Sequence, residues 1–244
     1  MATPEFLQPD WPAPPQVRAA MSTRGGGVST GPYASLNLAA HVGDSNAAVA
    51  ENRRRLRAAL ALPAEPAWLE QVHGMRVAVL PRPSSEPADA AVTFTPGSVC
   101  AVLVADCLPV FLASRAGDRV GIAHAGWRGL AAGVVEAAVA ALGCDPGELV
   151  AWLGPSIGPS AFEVGAEVRE AFLAREPGST AEFRPGREGR WLASLPGLAR
   201  RRLAAAGVAG ACGGELCTYS DPARFYSYRR DGATGRMAAL AWLV

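Results

Sequence analysis

No stretch of the 244-residue chain approaches the roughly 20 consecutive apolar residues that a membrane-spanning helix requires. The opening sequence MATPEFLQPDWPAPPQ is broken by prolines and has no apolar core of signal-peptide length. A cytoplasmic protein is expected. There is no excess of either charge: 23 basic against 22 acidic residues leave +1, which gives no net attraction for nucleic acid or an anionic membrane and leaves only local patches. Lysine is missing, so every basic side chain is an arginine; this bias, with the richness in Ala and Gly, reflects base composition and points to no function. Cysteine is sparse and odd in number. Cys100, Cys107, Cys144, Cys212 and Cys217 are scattered, which excludes a disulfide framework and favours free thiols. Histidine is scarcer still: His41, His73 and His124 are the only three.

What is present is core-forming material. Half the residues are hydrophobic and 18% are charged, enough to bury a sizeable core and to exclude disorder, and the length suits one large domain. Residues 1–16 read as a mobile, Pro-rich lead and residues 17–244 as a single domain. A strand is expected at 17–21, followed by the turn-rich STRGGGVSTGPYASLNL. Ser45 and Asn46 are N-cap signals for a helix from about Ala47 to Leu62, with Arg53, Arg54, Arg55 and Arg57 on solvated faces. Short strands near 68–71 and 76–80 lead into the loop PRPSSEPAD.

The middle of the chain is the most informative part. Residues 91–95, 99–105, 110–114 and 120–123 form apolar, β-branched runs separated by Gly, Pro and Asp, and read as strands. An Ala-rich helix opens at 126–129 and runs to about Leu142; a strand at 149–153 ends in GPSIGPS, before an amphipathic helix at 165–175. REPGSTAEFRPGREGR reads as an exposed excursion, Ser194 as the cap of a helix to Ala206, and residues 237–244 as a closing strand. Without a strict βαβ alternation, the expected class is α+β: mixed β-sheets packed with flanking helices.

Three segments place a metal-capable side chain where a strand gives way to a turn: QVHG with His73, VADCLPV with Cys107 and AHAGWRG with His124. Pro109 is expected to interrupt strand pairing after Cys107, and Gly126 to allow close backbone approach beside His124. Two imidazoles and a thiolate suit zinc, and three protein ligands leave a fourth position open, as in catalytic sites. The three are far apart in the chain and lack the C-x-x-C pairing of structural zinc. Spacing alone therefore leaves standing the alternative that Cys107 is a small buried hydrophobe and the histidines are ordinary hydrogen-bonded groups. The helix starting near His124 and the guanidinium of Arg128 would favour an anion beside the metal, and Asp106 would orient a ligand histidine or cap a turn.

QVHG, ADCLPV and HAGWRG, with TRGGGVSTGPYASLNLAAHVGD before them and LGPSIGPSAFEVG and YSYRRDGATGRMAALAW after, resemble the laccase-domain family. Its bacterial members were named multicopper polyphenol oxidases and later described as purine nucleoside phosphorylases. The likeness runs from about residue 18 to the C-terminus, and a third glycine in RGGGVS is the one small departure. The resemblance implies a zinc site on His73, Cys107 and His124. It also implies phosphorolysis of adenosine, inosine and methylthioadenosine, with purine nucleosides and phosphate as partners, and deamination of adenosine. Copper fits less well. A blue-copper centre with an oxygen-reducing cluster needs more imidazoles than three histidines supply. The zinc-deaminase signature H-x-E…P-C-x-x-C is absent too, so any deamination must use a different site.

Further candidates are His41 as a pocket acid or base, and Arg24, Arg229 and Arg230 as phosphate or ribose contacts, each with a structural or surface role as its alternative. Tyr33, Phe162 and Tyr226 could stack on a base but read more readily as core. GGGVSTG matches neither phosphate-loop pattern, so its glycines are assigned to tight turns. Two competing functions stand beside the zinc enzyme. One is a metal-free Cys107–His124 hydrolase, a reading that fits the family's link to editing of peptidoglycan precursors; the other is a metal-binding partner protein.

Overall fold

The strands of the central sequence are covered on both faces, which is why they read as unbroken apolar runs rather than as alternating ones. In the computed structural model, which describes residues 3–81 and 86–244, every residue of β6 (Val99–Val104), β7 (Leu108–Ser114), β8 (Val120–Ala125), β9 (Leu149–Leu153) and β14 (Met237–Leu243) is buried. Residues 1–2 of the lead and 82–85 of the loop PRPSSEPAD lie outside the described residues.

Two mixed sheets stack face to face. The first has the order β1 (Phe6–Leu7), β2 (Val17–Ser22), β14, β6 and β3 (Ala67–Trp68). The second runs β13 (Ala211–Gly213), β9, β7, β8, β5 (Ala90–Thr93) and β4 (Val77–Leu80). The pairs β3–β6, β4–β5 and β9–β13 are parallel, and the other pairs in these two sheets are antiparallel. Alternate residues divide each strand between two cores. Cys100, Val102 and Val104 meet Ala239, Ala241, Phe111 and Ile122 between the sheets, where Phe111 stands edge-on to Trp152 at 5.0 Å. Val99, Ala101 and Leu103 point the other way, against Leu56 of α1 (Asn46–Ala59). Leu108, Val110 and Leu112 of the second sheet face α3 (Val134–Leu142), α4 (Ala166–Leu173) and α5 (Leu195–Ala205). The result is helix, sheet, sheet, helix in one α+β domain. No helix among the described residues is long and apolar enough to cross a membrane.

Several local expectations hold. Ser45 caps α1 through Ala48 N–H, and Ser194 caps α5 through Gly197 N–H. All five cysteines are free. Elsewhere the chain departs from the expected plan for identifiable reasons. The Ala-rich helix is two helices, α2 (Trp127–Ala132) and α3, because Gly133 takes a left-handed φ of 116° between them. Pro109 sits inside β7, opposite His124, and its carbonyl accepts Gly154 N–H, so it does not end the strand. The lead read as mobile supplies β1, which pairs with β2, and sets Trp11 edge-on to Phe111 at 6.4 Å. Within the polar excursion, β11 (Phe183–Pro185) joins β12 (Trp191–Ala193) and β10 (Glu163–Val164) in a small third sheet. One short helix remains, α6 (Tyr228–Asp231).

Candidate metal centre

His73 lies in the loop after β3, Cys107 in the turn between β6 and β7, and His124 within β8. The fold brings one ligand atom from each to within 4.8 Å of the others. His73 Nε2 is 3.8 Å from Cys107 Sγ, and the two imidazole rings stand edge to face with centroids 4.7 Å apart. A tetrahedral zinc with bonds of about 2.0 Å to nitrogen and 2.3 Å to sulfur sets its N and S ligands about 3.5 Å apart. The donor set and its spacing therefore fit a single metal ion. His124 and Cys107 are recessed while His73 is exposed, so such an ion would sit at the floor of an open pocket of about 530 Å³.

One carboxylate organises two of the ligands. Asp89, fully buried just before β5, accepts from His124 Nδ1 at 2.8 Å and His73 N–H at 2.9 Å on Oδ1, and from Gly74 and Val72 N–H at 2.6 and 3.1 Å on Oδ2. With Nδ1 committed to the carboxylate, the Nε2 edge of His124 is left for a metal. The backbone N–H of His124 also donates to the Asp89 carbonyl, at 2.7 Å. Gln71 anchors the other end of the His73 loop, pairing its side-chain amide with both backbone groups of Leu103 at 2.7 and 2.9 Å.

Of the three non-glycine residues with positive φ among the described residues, two belong to this region, His73 at 60° and Asp106 at 90°. Backbone held in that region by its surroundings is a common mark of a functional site. Asp106 does not orient a histidine. Its carboxylate accepts from Thr218 Oγ1 (2.6 Å), Ser227 Oγ (3.0 Å) and Arg229 N–H (2.7 Å), and so ties the late segment carrying α6 to the turn that holds Cys107. Gly126 confirms the need for close approach: a Cβ there would stand 2.8 Å from His73 Cδ2 and 2.9 Å from Cys107 Sγ.

Electrostatics prepare the thiol for a metal. Burial alone would raise the Cys107 pKa, but the neighbouring His124, then His73, outweigh it and bring it down to about 6. Burial opposes protonation of His124; Cys107 and Asp89 reverse the effect and raise it to about 9. The thiolate, the form that binds metals, is thus accessible near neutrality.

The pocket collects all three histidines of the chain, since His41 also lines it, together with Arg128 and Arg229. Arg24 and Arg230 lie outside that lining. The Arg24 guanidinium is bound to the carbonyls of Ala34 and Pro222 over the Tyr226 ring, and Arg230 to those of Thr218, Tyr219 and Phe225 and to Asp231. Tyr226 and Phe162 are buried, and the Tyr33 hydroxyl donates to the Val42 carbonyl. Sequence reasoning missed Asp89, Gln71, Tyr228 and Arg236. Only Asp89 had a readable signal, an acid placed directly before an apolar strand that is buried on every residue.

Fold and site together define an α+β protein in which a His-Cys-His group that could hold a metal ion lies in an open pocket. The chain belongs to the family described as multi-copper polyphenol oxidoreductase laccase, whose model matches residues 18–244. It is 54% identical to a protein of Pseudomonas aeruginosa named purine nucleoside phosphorylase, over 98% of both chains. Its identity to the purine nucleoside phosphorylase YfiH of Escherichia coli is 53%, over 98% of this chain and 99% of that one. Among solved structures, protein NMB0706 of Neisseria meningitidis superposes with a TM-score of 0.93 at 48% identity, covering 98% of each chain. YlmD of Geobacillus stearothermophilus does so at 0.89 and 33%, also over 98% of each.

Proposed function

We propose that the chain is a cytoplasmic, zinc-dependent purine nucleoside phosphorylase acting on adenosine, inosine and methylthioadenosine, with deamination of adenosine at the same pocket. The observation that carries this reading is the joining of an open two-nitrogen, one-sulfur donor set with several arginines in one cavity. The names carried by relatives sharing half their sequence supply the substrate class. His73, Cys107 and His124 would hold the zinc, which when bound supplies a Lewis acid for an oxygen nucleophile or leaving group. Three histidines favour zinc over a multicopper set, since none is left for a second copper cluster once two are ligands and one stands apart as His41.

The protein's own groups do the rest. Arg128 and Arg229 are exposed at the pocket and draw in an anion. Burial, then Arg236 and Arg53, lower the pKa of His41, which keeps its ring neutral and able to hydrogen-bond a purine. The test is labelled inorganic phosphate with inosine. The label is expected in ribose 1-phosphate alongside hypoxanthine; hypoxanthine without label in the sugar would make the enzyme a hydrolase. One observation favours a second reading, a Cys107–His124 hydrolase of amide substrates such as peptidoglycan precursors: without metal the pair is a thiolate beside an imidazolium.

A further inference from the structure

We infer that Arg236 is the residue that grips the anion in this pocket, presenting the Nε and Nη2 edge of its guanidinium to inorganic phosphate. The inference rests on the phosphorylase reading for the identity of the anion, and on geometry for its place.

Arg236 directly precedes β14 and is fixed by its backbone: its N–H donates to Asn37 Oδ1 at 2.9 Å and its carbonyl accepts Leu38 N–H at 3.3 Å. Asn37 is fully buried and its amide is bound in turn to Asp44 and the Ala39 carbonyl. The end of the turn-rich segment STRGGGVSTGPYASLNL therefore acts as the bracket for an arginine distant in sequence. The guanidinium is half-buried and uses only Nη1, which donates to the carbonyls of Thr234 and Gly235. Among the described residues no carboxylate forms an ion pair with it, and Nε and Nη2 make no hydrogen bond. Those two nitrogens form the parallel pair of donors that matches two oxygens of a phosphate.

The rest of the pocket agrees. Its lining contains three arginines and no Asp or Glu. Once the Cys107 thiolate is neutralised by a divalent metal, the cavity carries a net positive charge with nothing on its walls to balance it. The other two arginines are less well placed. Arg229 donates to the Glu163 carbonyl, and Arg128 is exposed over the Trp127 ring. Burial opposes the charge of Arg236, and Cys107 and Asp106 offset it only from a distance without hydrogen-bonding to it, so an anion that reaches the free edge of the guanidinium would stabilise it.

The test is equilibrium dialysis of labelled inorganic phosphate against the metal-loaded protein, with turnover of inosine measured separately. Arg236→Gln should weaken phosphate binding about 10- to 100-fold, the range for losing charge-assisted hydrogen bonds. Arg236→Lys, which keeps the charge but not the fork, should fall between. Arg128→Gln should weaken it clearly less than Arg236→Gln does, because an exposed charge over the Trp127 ring attracts the anion without forking onto it. In turnover, Arg236→Gln should raise KM for phosphate while KM for inosine stays close to that of the unmodified protein. Metal content and melting temperature report whether each variant folds, and if the Gln variant fails, the Lys variant decides. Phosphate binding unchanged in a folded Arg236 variant, or absent from the unmodified protein, overturns the assignment. Arg236-dependent phosphate binding in a protein that does not phosphorolyse inosine would keep the anion site and remove the phosphorylase reading.

Discussion

Asp89 Oδ1 lies 2.8 Å from His124 Nδ1, and that one oxygen also receives the backbone N–H of His73. The ring of His124 and the main chain of His73, two of the three residues that could hold a metal, are thus positioned by the same atom. In Asp89→Asn the amide can keep one of its two edges as an acceptor but must turn donors toward the other. The expected result is a 10- to 100-fold loss of zinc affinity, the usual cost of removing such a supporting partner. Titration against a competing chelator measures it; affinity within about twofold of the unmodified protein would show that Asp89 does not orient the ligands.

Gly126 has φ −64° and ψ 156°, a conformation open to alanine, so substitution there tests space and not backbone strain. The added methyl would press on His73 and Cys107 at once. Gly126→Ala should fold, with a far-ultraviolet spectrum like that of the unmodified protein, and bind zinc at least about tenfold more weakly. Full metal content in this variant would mean that the ligands close around the ion differently.

In the metal-free protein Cys107 should ionise well below an ordinary thiol. Its folded-state pKa of about 6 lies under the reference of 9.0, so its contribution to stability is complete above about 9 and is lost as pH falls through 6. For His124 the folded value of about 9 lies above 6.5, so its contribution is complete below 6.5 and is lost as pH rises through 9. The pair is therefore intact between about pH 6 and 9. The melting temperature of the metal-free protein should pass through a maximum in that window, and Cys107→Ser should flatten the curve. Thiolate absorbance of Cys107 rising only in the usual thiol range would contradict the coupling.

Metal removal separates the two enzymatic readings. Stripping zinc from the protein should abolish nucleoside turnover, and returning it should restore the rate. A Cys107–His124 hydrolase would keep or gain activity instead, because the freed thiolate is the better nucleophile. Turnover unaffected by verified metal loss favours the hydrolase.

Asp106 should matter for stability and for substrate binding together. Asp106→Ala leaves Thr218, Ser227 and Arg229 N–H without their shared acceptor, at a cost of about 3 kcal/mol for a largely buried site. Denaturant unfolding reads the first effect. A rise in KM for nucleoside reads the second, since Tyr228 and Arg229 of α6 line the pocket. A loss of stability with KM unchanged would confine Asp106 to the fold.

Much of this architecture was legible in the sequence. β9 runs over the residues expected of it, β14 differs only by its last residue, and the caps at Ser45 and Ser194 are where their side chains signalled. That His73, Cys107 and His124 come together was legible because a histidine or cysteine at the end of an apolar run is unusual enough to notice. Strands of two or three residues, such as β1, β10 and β13, carry no periodicity of their own and exist because a longer neighbour pairs with them. Arg236 could not be found by reading along the chain. Its place depends on Asn37, and a contact across such a separation is set by topology alone. Its place beside Cys107 in sequence leaves Asp106 to orient a histidine or to cap a turn, and neither shows that its positive φ turns it toward the segment at 218–229.

The strand at the centre of the first sheet comes after all the other strands of that sheet in the sequence. β14 stands between β2 and β6, and Tyr228, Arg229 and Arg236 of the pocket come from the stretch just before it. On the ribosome, His73, Cys107 and His124 therefore emerge long before the walls that will surround them, while β2 and β6 wait with unpaired edges for a partner not yet translated. Domain assembly and completion of the pocket become a single late event. A nascent chain stalled before Met237 would carry His73, Cys107 and His124 with no finished chamber around them.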